Sequence, residues 1–225
     1  MKPFQQLKVH TVMNRKITLT LGLLCLMAIT AANAQVQPTT SGTVDAPVKG
    51  TPYLNDAYVE GTILFANNSR TAPVRYNAHR DLIEFEAGGQ ARVLDPSTTI
   101  KRVDFGETTF VVEKYKDDGI TKYGYFALLD SGKVTLFSKK SVKFTPAMKG
   151  RALDGGDQAA EYRRAPDEFY FKFAGSEVTK VKNIKSMIAA FPDKQEELSA
   201  FAKKEKISPR NEEELTKLIK YYNSL

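Results

Sequence analysis

Few side chains in this sequence are of a type that does chemistry, and they are poorly grouped. His79 follows Tyr76-Asn77-Ala78 in a turn-like stretch. A catalytic triad or zinc site needs partners, and without cysteine nearby only carboxylates remain. A surface histidine is expected. Glu84 and Glu86 stand about 7 Å apart on one face of a strand. Paired carboxylates hydrolyse glycosides, but such pairs come from different elements, and alternating acids on a strand form a solvated face. Asp117-Asp118-Gly119 and Asp154-Gly155-Gly156-Asp157 lack the spaced acids and later bidentate glutamate of a calcium loop, so turn chemistry accounts for them. No phosphate-cradling glycine loop and no nucleophile elbow occurs. No catalytic residue, metal ligand or cofactor is assigned on these grounds.

The densest aromatic group is Tyr115, Tyr123, Tyr125 and Phe126. Tyr123 and Tyr125 share one face of their strand, and Phe126 takes the other. With Phe126 in a core, the two tyrosines form an exposed or groove-lining pair able to stack on a sugar or grip a peptide. Cross-strand packing is the competing account and the favoured one. The lysines of the C-terminal stretch, Lys180, Lys182, Lys185, Lys203, Lys204 and Lys206, lie among acids such as Glu196, Glu197 and Glu205. A solvated helical face explains them best. Lipopolysaccharide or another envelope polyanion is the alternative.

The N-terminus decides how the charge is read. Asn14-Arg15-Lys16 precede an apolar run over residues 17–29, and Ala32-Asn33-Ala34 puts small residues at the −3 and −1 positions of a cleavage site. Residues 1–34 therefore read as a secretory signal peptide cut between Ala34 and Gln35, with Met13 as an alternative start. The run is short for a membrane span, and Cys25, in mid-run after Leu24, is misplaced for lipidation. Four of the 33 Lys and Arg residues lie in this leader and none of the 26 acids does, so its removal takes the net charge from +7 to +3. That weakens any argument for nucleic acid as partner. It also removes the single cysteine, and with it disulfide and thiolate chemistry.

Residues 35–52, rich in proline and threonine, read as a flexible tether. Residues 53–146 alternate with period two between turn signals. Strands are expected over Tyr58–Phe65, Val74–Tyr76, Leu82–Glu86, Ala91–Leu94, Ile100–Val103, Thr108–Tyr115, Tyr123–Leu129 and Lys133–Phe137. Residues 147–166 read as a loop. Residues 167–225 read as a hairpin across Ala174-Gly175-Ser176 and three short amphipathic helices. Asn183 caps the first, Asp193 with Glu196 makes a capping box for the second, and Asn211 with Glu214 repeats it for the third. The fold class is α+β: an antiparallel β meander, barrel-like or a small sandwich, followed by a C-terminal bundle of short helices.

Two segments carry a resemblance. The run from Gly124 through Gly132-Lys133-Val134 to Phe137 resembles a segment of uncharacterised exported proteins of Gram-negative bacteria. So does the ending from Asn183-Ile184-Lys185 to Tyr221-Tyr222-Asn223. The resemblance implies a layout and a compartment, periplasmic or secreted, and no catalytic residue. The resulting expectation is an exported envelope protein that binds or supports without catalysis, with an envelope protein or glycan as partner and no transmembrane segment after cleavage. Two alternatives stand beside it: a carboxylate-dependent enzyme on envelope glycans, and a carrier holding an apolar ligand inside the β module.

Overall fold

The structure, a computed structural model, describes residues 47–150 and 156–225. The signal peptide, its Ala34–Gln35 cleavage site and most of the proposed tether lie outside the described residues. Among the described residues, twelve strands and three helices follow in order. They are β1 (Val59–Phe65), β2 (Ser69–Asn77), β3 (Leu82–Ala87), β4 (Gln90–Leu94), β5 (Ile100–Phe105), β6 (Thr108–Asp117), β7 (Ile120–Asp130), β8 (Val134–Lys139), β9 (Val142–Thr145), β10 (Glu161–Arg164), β11 (Glu168–Phe173), β12 (Thr179–Lys180), α1 (Ile184–Ala189), α2 (Gln195–Lys204) and α3 (Glu212–Ser224). Ten strands form one sheet in the order β12-β11-β8-β7-β6-β5-β1-β2-β3-β4, while β9 and β10 form a separate pair. Every strand pairing is antiparallel.

The long sheet is curled. In a flat sheet β2 and β8 would lie five strand spacings apart, about 24 Å. Yet the Val142 N–H, just beyond β8, donates to the Ala78 carbonyl, just beyond β2, at 3.2 Å. Inside the curl the Tyr76 ring of β2 meets Phe110 of β6 at 4.8 Å and Tyr125 of β7 at 6.2 Å. Ile63, Val74, Ile83 and Val103, all fully buried, complete this interior. The result is a half-barrel, broadly α+β once the C-terminal helices are included.

Further along, the same sheet face carries Val134, Leu136, Phe169 and Phe171, and the helices cover them with Met187, Leu198, Leu215, Leu218 and Ile219. Each such side chain contributes about 2 kcal/mol of burial free energy. The opposite face of β6, β7, β8 and β11 holds a smaller aromatic cluster centred on Phe126. Tyr115 and Tyr170 each meet its ring edge-on at 5.1 Å.

Local chemistry sets the helix starts. Asn183 accepts a hydrogen bond from the Ser186 N–H, and Asn211 one from the Glu214 N–H, as N-cap residues do. The Glu214 carboxylate reaches back to the Ser208 N–H at 2.7 Å. Asp193 does not cap α2. Lys194 holds that position at φ 60° with no side-chain cap, and Asp193 accepts instead from the Tyr222 hydroxyl at 2.9 Å. A long-range bond to α3 has taken the carboxylate that the local pattern assigns to capping.

Two boundaries differ from the sequence expectation. Residues 47–52 are docked rather than loose: Lys49 exchanges backbone hydrogen bonds with Ala160 and Tyr162, and the Pro52 carbonyl accepts from the His79 N–H. The stretch expected as a loop at 147–166 contains β10, paired with β9 from Glu161↔Thr145 to Arg164↔Val142. Its EYRR sequence has no apolar alternation, so its strand state depends on a partner distant in sequence.

Candidate functional site

Three groups of side chains gather chemistry, two on the curled sheet and one around the β9–β10 pair. The first surrounds Glu84. Ile83 and Phe85 face the core as alternation requires, but Glu84 is not solvated. Its Oε2 accepts two hydrogen bonds from the Arg75 guanidinium, at 2.9 and 2.7 Å. The Tyr53 and Tyr58 hydroxyls donate to the same carboxylate. Both tyrosine rings lie against the guanidinium, with Cζ 3.6 Å from the Tyr53 centroid and 4.3 Å from that of Tyr58. Burial alone raises the Glu84 carboxyl, but hydrogen bonds from Arg75 and Tyr53 and the guanidinium charge outweigh it, so it sits below its ordinary value. Glu86, its expected companion, is exposed. The carboxylate pair does not exist as a unit; Glu84 fastens the docked N-terminal segment to β2 and β3.

The second group lies at the seam where the β2–β3 turn meets β7 and β8. The β7–β8 ladder ends at Ala127↔Ser138, and side chains take over beyond it. Asp81 Oδ1 accepts from the Tyr125 N–H at 3.2 Å and the Tyr76 hydroxyl at 2.7 Å. The Lys139 ammonium donates to Asp81 Oδ2 at 2.6 Å and to the Tyr125 carbonyl at 3.0 Å. Gly124 makes room for this pair. A Cβ there would stand 2.7 Å from both Asp81 Oδ2 and Lys139 Nζ. Burial pulls the Lys139 ammonium below its ordinary value, with the Asp81 carboxylate opposing. Burial likewise pushes Tyr115 up to about 12. A cleft of about 260 Å³ opens here, bordered by His79, Asp117, Lys122, Lys140 and Glu168.

This geometry revises the tyrosine pair. Tyr123 is 42% exposed, but Tyr125 is fully buried, and its hydroxyl donates to the Leu94 carbonyl of β4. The two do share a strand face. That face points into the curl, and Tyr123 stands outside the packed interior. Phe126 is buried on the other side, so both faces of β7 are covered at this point. Two buried faces belong to a layered strand, which alternation alone cannot reveal.

The third group is basic. Clefts of about 680 and 650 Å³ share Lys143, Ala165 and Pro166 as a common wall. Lys49, Arg163 and Arg164 border the first; Lys180, Lys182 and Arg210 border the second. Glu161, Asp167 and Glu168 in these walls are ion-paired with Arg163, Lys140 and Lys180, while Asp157, also in the first wall, accepts from the Gly150 N–H and pairs with no cation among the described residues. Lys49, Lys143, Lys182 and Arg210 have no carboxylate partner among the described residues.

No family model, curated protein or solved structure matches this chain.

The remaining sequence candidates are scattered: His79 lies in the β2–β3 turn, Asp117 ends β6 and Asp157 precedes β10. His79 is exposed, its Nδ1 3.1 Å from the Val142 carbonyl. Asp117 pairs with Lys122 at 2.7 Å, and that hydrogen bond holds its carboxyl below its ordinary value. Asp157 accepts from the Gly150 N–H, while residues 151–155 lie outside the described set. No group of three His, Cys, Asp or Glu side chains among the described residues is placed to hold a metal. Sequence reasoning passed over Asp81, Lys139 and Arg75. The one local signal for Asp81 is its place in the turn between two alternating strands, where a left-handed φ of 55° suits Asp.

Proposed function

We propose that this protein is an exported component of the bacterial envelope, periplasmic or secreted, which acts by binding rather than catalysis. In this reading the barrel-like β module and a bundle of short C-terminal helices form one binding unit. Its partner is an anionic envelope polymer lying along the paired basic clefts, and nucleic acid is not its ordinary ligand. The observation that carries the reading is the shared Lys143 wall, with unpaired cations on both sides of it. Unpaired charge in adjoining clefts focuses potential onto one elongated surface. No helix among the described residues is long and apolar enough to cross a membrane, which is compatible with such a role.

The interior does not favour a carrier of apolar ligands, because Tyr76, Phe105, Phe110 and Tyr125 occupy it. A glycan-cleaving enzyme has one observation behind it: Asp81, Asp117 and Glu168, from three different elements, border a single cleft. Each is bound to a lysine, and Asp117 is held ionised, whereas a general acid needs a raised pKa. A glycan hydrolase activity lost in Glu168→Gln would carry that reading instead.

The test is binding of the purified protein to a linear polyphosphate. Affinity should fall at least tenfold between about 0.05 and 0.5 M salt, because exposed charges are screened. K143E should remove most of it while leaving the melting temperature unchanged. Salt-independent binding, or full affinity in K143E, would sink the groove reading. Export is tested separately, by cell fractionation and by sequencing the N-terminus of the exported protein, expected at Gln35.

A further inference from the structure

A fourth cavity, of about 530 Å³, lies between α1 and α2 and has a different character. Ile184, Ile188, Ala202 and Ile207 form its walls with Ser199, and Lys185 and Lys203 stand at its rim. Both lysines are exposed and have no carboxylate partner among the described residues. An apolar trough rimmed by unpaired cations suits one kind of molecule: a hydrocarbon chain ending in an acid.

The trough is next to the second basic cleft. Lys182 borders that cleft and Ile184 the trough; Arg210 and Pro209 border the cleft and Ile207 the trough. Residues two apart are at most about 7 Å from one another along the chain. The two cavities therefore flank the same pair of segments, 182–185 and 207–210. The charge that receives an acidic headgroup and the surface that receives its tail sit within the length of one amphiphile.

We propose that this end of the molecule binds an acylated anionic amphiphile. Its phosphate or carboxylate headgroup meets Lys182, Arg210 and the rim lysines, and one acyl chain lies between α1 and α2. The proposal deepens the basic-groove reading and rests on it for the headgroup only; the tail site stands on the trough itself.

Dodecyl phosphate is the probe, titrated into the purified protein below its micelle-forming concentration. It should bind at least tenfold more tightly than butyl phosphate and at least tenfold more tightly than dodecyltrimethylammonium. Equal binding of the two phosphates would show that no chain site exists, and equal binding of the two dodecyl compounds would show that the headgroup charge is irrelevant. Either result overturns the proposal. Ser199→Phe, which fills the trough from a half-buried position, should abolish the chain-length preference while polyphosphate binding persists. K185E with K203E, both on exposed sites, should weaken dodecyl phosphate without changing the melting temperature. Retained chain-length preference in Ser199→Phe, or full dodecyl phosphate affinity in the double variant, would also overturn the assignment. If polyphosphate fails to bind while dodecyl phosphate keeps its preferences, the extended groove reading falls and the amphiphile site survives.

Discussion

At the scale of single residues, ion pairs in this protein close the structure where backbone pairing stops. Asp81 and Lys139 supply the hydrogen bonds that a continued β8 would have given Tyr125. Gly124 admits them, and this makes it the most informative position to change. Gly124→Ala should cost about 1–3 kcal/mol in urea denaturation, because the added methyl would meet Asp81 Oδ2, Lys139 Nζ and Tyr115 Cε1 at 2.7–2.8 Å and force the ion pair to shift. A loss below about 0.5 kcal/mol would mean that Asp81 and Lys139 are not held together there. The Arg75–Glu84 pair was partly legible: the alternation of Leu82–Glu86 put Glu84 opposite the core. Its burial under Tyr53 and Tyr58 was not, since those side chains reach Glu84 from 26 to 31 residues away in sequence.

At the scale of elements, caps and turns followed local rules except where a distant group competed. Asn183 and Asn211 cap as their sequences require, and Asp193 is diverted to Tyr222. Replacing Asn211 with Ala should cost about 1 kcal/mol. Asn223 is a stronger case. Its side-chain amide accepts from the Val134 N–H and donates to the Val134 carbonyl and to Asp130, all at 2.9–3.0 Å. It thereby ties the end of α3 to the β7–β8 turn, beside Gly132, where a Cβ would stand 2.6 Å from the Asn223 amide carbon. Asn223→Ala should cost about 2–3 kcal/mol, since it strands polar groups in a partly buried turn. A cost no larger than that of Asn211→Ala would show that α3 docks by its apolar stripe alone. The two segments carrying the sequence resemblance, Gly124–Phe137 and the Tyr221-Tyr222-Asn223 ending, meet at this latch.

At the scale of the whole molecule, the buried phenols set the alkaline limit. Burial raises Tyr76, Tyr115, Tyr125 and Tyr170 above their ordinary value. The folded state thus keeps protons that the unfolded chain gives up near pH 10. Their contribution to stability is complete below that pH and is lost as pH rises toward the folded values. Tyrosinate absorbance and loss of far-ultraviolet circular dichroism should therefore appear in one step. Free titration of every tyrosine near pH 10 with the fold intact would contradict the packing described. On the acid side Glu84 and Asp117 are lowered. Their contribution is present above about pH 4 and disappears as pH falls through the folded values.

The sequence by itself determined most of the strand and helix segments, a strand-rich region followed by a few helices, and two of the three helix caps, because period and capping are interactions over two to four residues; it did not reveal β9, nor that β5 pairs with β1 rather than with β4. It also placed Ile83, Phe85 and Phe126 in a core. Only the tertiary structure decided that β7 is covered on both faces, that β10 is a strand, and that residues 47–52 are docked. It alone put Lys49, Lys143, Lys182 and Arg210 along adjoining clefts. These features depend on the sheet curling until strands five places apart touch, and no local pattern of residues encodes which distant groups then become neighbours.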